Sequence, residues 1–364
     1  MKKLFVFLFA FVTTAHADAP PIKIGAVFSL SGWAAIGGKA ELNAIQMAVS
    51  DINSTGGIAG RKLELVVEDN QSDLNRTVNA IQKLTSIDKV NIILGPNWAE
   101  FAEVAAPTCE GKKVIMLTAS GYTKTLTHGK KYIFTTLPSH AMMIAPLTDY
   151  IVKSGFKKIA LETSITSYFE SISEAAKSQL QEHSITPQID ETWNPGQTDF
   201  RTHISNLKKA NIDAVLVLLK EGGELAAFLR QAKELSLTAQ IFASNALLYD
   251  HAIEESPGSA EGAIVFNLVT KGSDAFLERF KKEYGEAASD SVPRAYDLPF
   301  ILKDSITRCG DESDTLKLAE CIKNVDLKGE SGRIRFDENH LVLPEGIESV
   351  VLKYHDGKAI PIEN

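Results

Sequence analysis

The segment FSLSGWAAIGGKA, Phe28 to Ala40, sets three glycines, two serines, a tryptophan and a lysine between an apolar run and a helical one. Residues of this kind at a strand-to-helix turn suit a phosphate cradle. The P-loop pattern G-x-x-x-x-G-K-[ST] fails here: Trp33 stands where its first glycine belongs, and Ala40 replaces the metal-binding hydroxyl. The G-x-G-x-x-G dinucleotide pattern is missing as well. What survives is a turn that exposes backbone N–H groups and the positive end of a helix dipole, with Trp33 as an aromatic face beside it.

Three more turns repeat the arrangement. LGPNWAEFAE places Asn97, Trp98 and Glu100 where a strand gives way to a helix. LTASGYT offers Ser120 and Tyr122, and LETSITSYFE offers Thr163, Ser164, Thr166 and Tyr168. Each hydroxyl could serve only as a helix cap. Their recurrence at the ends of successive strands in both halves of the chain points instead to a cleft for a small organic ligand. Asp69, Glu100 and Glu221 lie at strand ends, where a general acid or base could sit.

Signals for chemistry are otherwise sparse. No G-x-S-x-G elbow occurs, and no two histidines have H-x-x-x-H or H-E-x-x-H spacing. No C-x-x-C pair is present, so no metal site or cofactor is expected and no residue is assigned a catalytic role. An enzyme is the minor reading. Cys309 and Cys321 could pair in an oxidising compartment, or both could be buried thiols, and Cys109 would stand alone.

The elements that must position these turns alternate along the chain. Strand-like IKIGAVFSL (22–30), KLELVVED (62–69), VNIILGP (90–96) and KVIMLTAS (113–120) are separated by helix-like runs at 38–54, 74–87 and 99–111. A second series follows: strands at 156–164, 185–193, 212–220, 239–245 and 262–269, with helices at 167–184, 199–211 and 222–237. Short apolar strands alternating with helices predict βαβ units around parallel sheets. YIFTTLPS (132–139) passes between the two series as extended chain, not as a flexible tether. Helices at 274–285 and 294–310 and a hairpin-like tail from RIRFDENH onward complete the chain, so it must cross between halves more than once.

Composition sets the outer bounds. Lys2 and Lys3, the apolar Leu4 to Val12 and the Ala15-His16-Ala17 site read as an export leader over residues 1–17, cut after Ala17. Losing two lysines moves the formal charge from -8 to -10. An acidic chain without a basic cluster is a poor partner for nucleic acid or an anionic membrane. At 364 residues, two domains are expected.

KIGAVFSLSGWAAIGGKAELNAIQMAVSDINSTGGIAGRKLELVVEDNQSD closely resembles the N-terminal signature of the branched-chain amino acid (leucine/isoleucine/valine) receptors of ABC transporters, which are type I periplasmic solute-binding proteins. ILGP, LRQAKELSL, QIFASN, RAYD and GRIRFDENH continue the match over the mature chain. The resemblance implies two Rossmann-like α/β lobes joined by a three-segment hinge, with lobe 1 at 18–137 and 271–330 and lobe 2 at 138–270 and 331–364. It implies a soluble periplasmic receptor, monomeric, that closes on a small molecule and meets an inner-membrane permease. A sensory receptor for a signalling partner, or a hydrolase reusing the cleft, are the alternatives.

Amino-acid receptors of this group hold the ligand carboxylate with a serine at the helix start after the third strand. Ala99 occupies that position here, so only backbone amides remain. The acid that pairs with a ligand ammonium aligns with the neutral Asn245, and Ser72 and Trp98 replace a cysteine pair found in some relatives. Tyr168 and Ser120 match positions where a tyrosine and a small polar contact are usual. With Trp33, Asn97, Trp98, Tyr122 and Glu221, these residues form the expected site. The ligand expected is a small organic molecule of amino acid, amide or aromatic or aliphatic carboxylate type. Either Glu100 or Glu221 supplies the charge for an ammonium from a new place, or the ligand lacks one and has a flat or apolar part, unlike leucine.

Overall fold

A computed structural model describes residues 20–119, 121–220, 223–248, 253, 257–270, 272–343, 345 and 347–362. The leader, Ser120 and Glu221 lie outside the described residues. Two sheets organise the chain. The first is wholly parallel, in the order β2 (Leu63–Asp69), β1 (Ile22–Phe28), β3 (Ile92–Leu94), β4 (Ile115–Thr118) and β5 (Ile133–Thr135). Its connections are α1 (Ala35–Ser54), α2 (Leu74–Ser86), α3 (Ala99–Lys112) and the short α4 (Lys124–Thr127).

The inner strands are almost wholly buried on both faces because both faces are covered, whereas the edge strand β2 is half-buried and carries Glu64, Glu68 and Asp69. Ile22, Ile24, Ala26 and Phe28 of β1 enter the same core as Ala44, Ile45 and Ile52 of α1. Val27, on the opposite face, joins Ile81 and Leu84 of α2 and Ala102 and Ala105 of α3. Period-two alternation along the strand thus feeds two helix layers at once.

The second sheet runs β14 (Lys358–Pro361), β13 (Ile347–His355), β10 (Ile264–Thr270), β9 (Gln240–Ala243), β8 (Ala214–Leu218), β6 (Ile159–Ser164), β7 (Ile189–Trp193). From β7 to β10 it is parallel, and β13 returns antiparallel to β10 from Ile264↔Lys353 to Thr270↔Ile347. Helices α5 (His140–Lys153), α6 (Ser167–Glu182), α7 (Arg201–Lys209) and α8 (Glu224–Glu234) belong to this lobe.

Three passages join the lobes. The chain leaves the first sheet after β5 and enters α5, where the Ser139 hydroxyl accepts the Met142 N–H at 3.2 Å as a cap. It returns after β10 into helices Asp274–Tyr284, Ser291–Cys309 and Thr315–Lys323. These pack on α1, where Asp51 accepts hydrogen bonds from Arg279 and Tyr296 at 2.7 Å each. The third passage runs beside β5, with the Thr135 N–H on the His340 carbonyl at 3.2 Å and the Val342 N–H on the Thr135 carbonyl at 3.1 Å.

Only part of the tail read from sequence as one hairpin behaves so. β13 and β14 pair with each other, whereas β12 (Gly332–Ile334) folds back on β11 (Leu327–Gly329). The cause is Asp297, a buried carboxylate that accepts the Glu330 and Ser331 N–H groups at 2.9 and 2.8 Å and holds that turn on the first lobe. Arg294, 1% exposed, ties the passages from inside. It donates to the Ala119 carbonyl after β4, the Thr270 hydroxyl at the end of β10, and Asp290, at 3.0, 2.6 and 3.0 Å. Cys309 and Cys321 form a disulfide across a Cα separation of 6.4 Å, and Cys109 is a buried thiol pushed up to about 12 by burial.

Candidate ligand cleft between the lobes

The first wall starts at the carboxyl end of β1. Asp69, at the end of the neighbouring β2, accepts the Leu30 N–H at 2.9 Å and the Ser31 hydroxyl and Gln71 N–H at 2.8 Å. Burial works against its charge, but those donors prevail and hold the carboxyl below its ordinary range. Asp69 is therefore committed to shaping the turn. Ser72 accepts the Ala34 N–H at 3.1 Å and donates to the Ser31 carbonyl at 2.7 Å. Gly32, at φ +81°, lies so close that a Cβ would fall 2.6 Å from the Ser72 oxygen.

These ties present Trp33, half exposed, at the rim. Its ring lies 5.3 Å from that of Trp98 and 5.8 Å from that of Phe101, so the two tryptophans of separate turns form one aromatic wall. Trp98 precedes α3 with φ 66°, a left-handed conformation that costs a non-glycine residue of order 1–3 kcal/mol. No side chain caps α3, and Ala99 contributes a buried methyl beside its free helical amides. Asn97 is fully buried, with its carboxamide oxygen accepting the Ser29 N–H at 2.9 Å.

The opposite wall belongs to the second lobe. Thr166 caps α6 through the Phe169 N–H at 3.3 Å, which fixes Tyr168 in the first turn. The Tyr168 hydroxyl donates to the Asn245 carboxamide oxygen at 3.3 Å, joining the ends of β6 and β9. His140 heads α5 at the first passage, between Tyr122 of the first lobe and Tyr168 of the second, each 4.8 Å away edge-on. Burial lowers the His140 imidazole to about 3, so the ring is neutral at ordinary pH. Lys220, just past β8, reaches across the gap to place its ammonium 4.2 Å from the centroid of the Trp33 ring.

Several buried polar atoms without a hydrogen-bond partner in the chain lie at these strand ends and helix starts, while others, such as Asp88 Oδ2 and Ser305 Oγ, lie elsewhere. The former include Asn70 Nδ2, Asn97 Nδ2, Glu100 Oε2, both ring nitrogens of His140, Ser164 Oγ and Ser244 Oγ. Each such atom costs roughly 1–3 kcal/mol if left unbonded. Those near the turns of both lobes are groups that a polar organic ligand could satisfy.

Of the residues expected from sequence, the structure brings Trp33 against Trp98, and Tyr168 against Asn245. Tyr122 joins the Tyr168 side through His140, while Asn97 and Ala99 frame the head of α3. Ser120 and Glu221 fall outside the described residues. Sequence reasoning missed Lys220, His140 and Phe101. A lysine closing the apolar run AVLVLLK, and a histidine directly after a helix-capping serine, were the available signals.

Two other groupings of titratable residues lie elsewhere. Glu162 is buried in β6 and spends one carboxylate oxygen on His203 at 2.7 Å and the other on the Trp193 indole at 2.8 Å. Burial raises the Glu162 carboxyl, and this contact raises His203 against its own burial. The pair ties α7 to the sheet. Glu261, His355 and Asp356 are close enough to share a metal but are exposed at the β13–β14 hairpin, with His355 on Glu261 at 2.6 Å.

Two α/β lobes joined by three passages, with polar and aromatic turns between them, have the architecture of a solute-binding module. The profile of the periplasmic binding protein family matches residues 21–344, and the chain belongs to that family. The Leu/Ile/Val-binding protein BraC3 of Rhizobium johnstonii is 26% identical over 97% of this chain and 96% of its own. A leucine-binding protein of Thermotoga maritima superposes with a TM-score of 0.81 at 24% identity, covering 94% of this chain and 98% of that one. An R. palustris solute-binding protein solved with benzoate shares the fold at a TM-score of 0.76 and 16% identity, covering 94% and 95%. Among the described residues no helix is long and apolar enough to cross a membrane.

Proposed function

We propose that the protein is the extracytoplasmic receptor of an ABC importer, which closes its lobes on a small organic ligand and offers the closed form to a membrane permease. Residues 1–17 serve as the export leader, and the mature monomer works in the periplasm. Lobe 1 comprises 18–137 and 271–330, and lobe 2 comprises 138–270 and 331–364. The observation that carries this reading is the set of unbonded buried polar atoms at strand ends of both lobes, which a ligand between them would satisfy together.

The ligand has a flat or apolar part and a carboxylate or amide. Trp33, Trp98, Tyr122 and Tyr168 supply aromatic surface, and Asn245 offers no charge to an ammonium. Burying an ammonium without an anion is strongly disfavoured. Relatives of this fold include proteins named for leucine and one solved with benzoate, so the scaffold accommodates both chemistries. Mass spectrometry of the small molecule that co-purifies tests the reading, followed by X-ray scattering with and without it. Contraction on binding and recovery of the molecule unchanged are expected. An unaltered scattering profile or turnover would overturn the receptor role, and tight leucine binding by calorimetry would overturn the ligand class.

A further inference from the structure

Lys220 stands apart from the other charged groups of the cleft. It follows β8, a strand buried along its whole length, and its own backbone N–H is fixed by Glu224 Oε2 at 3.3 Å. The other oxygen of Glu224 accepts the Gly196 N–H at 2.7 Å, so this carboxylate serves the main chain. The Lys220 side chain, half-buried, crosses to the other lobe, where its ammonium sits over the Trp33 ring. No carboxylate among the described residues forms an ion pair with it.

An ammonium carries three donors and accepts nothing. A tryptophan face stabilises it on one side through the ring quadrupole but leaves the remaining N–H groups to find an acceptor. At the end of β9, the neighbour of β8 in the same sheet, stands the neutral Asn245, whose carboxamide oxygen already receives the Tyr168 hydroxyl. Glu100 sits in the first turn of α3, near the positive end of the helix, and its Oε2 is buried without a hydrogen-bond partner in the chain. The cation contributed by the protein at Lys220 and the neutral Asn245 therefore bias the site in the same direction.

We propose that Lys220 is the charge-selecting residue of the cleft, pairing with an anionic group of a ligand that carries no ammonium. The assignment rests on the receptor reading above and narrows its ligand to carboxylates. Trp33 positions the ammonium, so that anion recognition and lobe closure share one contact.

The test uses matched probes on the full mature chain, by calorimetry: isocaproate, isocaproamide and L-leucine, then benzoate, benzamide and L-phenylalanine. At least one carboxylate is expected to bind tenfold or more tighter than its own amide and its amino acid. Lys220→Gln should weaken the carboxylates at least tenfold more than their amides and so abolish that preference, and Lys220→Arg should restore most of it. A panel in which no carboxylate outbinds its amide overturns the assignment. So does a preference that persists in Lys220→Gln, or a loss equal for all probes, which would make Lys220 a latch only. Tight leucine binding with lobe contraction would sink this assignment and leave the receptor role standing, whereas a ligand that binds without contraction would sink the receptor role itself.

Discussion

The imidazole of His140 stands edge-on to the ring of Tyr168, 4.8 Å between centroids and 85° between planes, at the point where the chain first crosses between lobes. Tyr122 meets the same imidazole at 4.8 Å from the other lobe. The first crossing and residues of both lobes thus share one aromatic column.

Tyr168→Phe deletes the hydroxyl bonded to Asn245 and keeps the ring against His140. A hydrogen bond of about 0.5–1.5 kcal/mol corresponds to roughly a two- to tenfold loss of affinity. Trp98→Ala removes the partner of Trp33 and should cost more than about tenfold. Calorimetry with the co-purifying molecule checks both, with circular dichroism expected to be unchanged. Wild-type affinity in both variants would mean the cleft lies elsewhere.

Acid should weaken the fold through His140. Its unfolded pKa is near 6.5 and its folded value about 3, so protons favour the unfolded chain between those limits. This contribution to stability is complete above pH 6.5 and is lost as pH falls toward 3, by roughly 2–3 kcal/mol at pH 4.5. His140→Phe keeps an aromatic ring and removes the titration. Urea unfolding at pH 7 and pH 4.5 should show a smaller drop in the variant, and equal drops would exclude His140 as the cause. Asp297, raised to about 6 by burial, acts in the opposite direction, since its stabilising share fades as pH rises through that value, but it is common to both proteins.

Adjacent glycines in α1 should respond differently. A Cβ on Gly38 would fall 2.1 Å from the Ser29 carbonyl oxygen, so the helix could not keep its place against β1. Gly38→Ala is expected to cost roughly 2–3 kcal/mol and to disturb the Trp33 turn. At Gly37 the nearest atom to a Cβ is the Trp98 indole nitrogen at 3.8 Å, an ordinary contact. Gly37→Ala should be neutral or stabilise by up to about 1 kcal/mol through helix propensity. Thermal unfolding separates the two, and equal melting points would refute the close approach.

Replacing Cys309 and Cys321 together by serine opens a loop with a sequence separation of 12. Chain entropy alone puts the loss at about 3 kcal/mol. Chemical denaturation should show the loss in global stability, and ligand affinity should hold because the bond lies on helices outside the cleft. A variant as stable as the parent would show that the disulfide contributes nothing.

Much of this protein was readable residue by residue. The alternation of apolar strands with amphipathic helices is local in the chain, so β1 to β4, β6 to β10 and the helices α1 to α3 and α6 to α8 followed from periodicity. By contrast, β5 reads only as an extended crossover, and α5 (His140–Lys153) was missed. Turns such as 28–40 and 95–100 announced themselves through glycine, proline and tryptophan between a strand-like and a helix-like run. Other features had no local signature. Whether Cys309 pairs with Cys321 was open until their Cα atoms lay 6.4 Å apart. That β12 turns back onto β11 depends on Asp297, a carboxylate on a helix distant in sequence.

The sequence by itself determined the elements and the composition of the turns, since hydrophobic period and backbone preference act over a few neighbouring residues. Only the tertiary structure decided which turns face one another: Lys220 over Trp33, and His140 between Tyr122 and Tyr168. Those meetings arise from sheet order and the three passages between lobes, which sum many weak contacts over the whole chain and leave no mark on any single stretch of it.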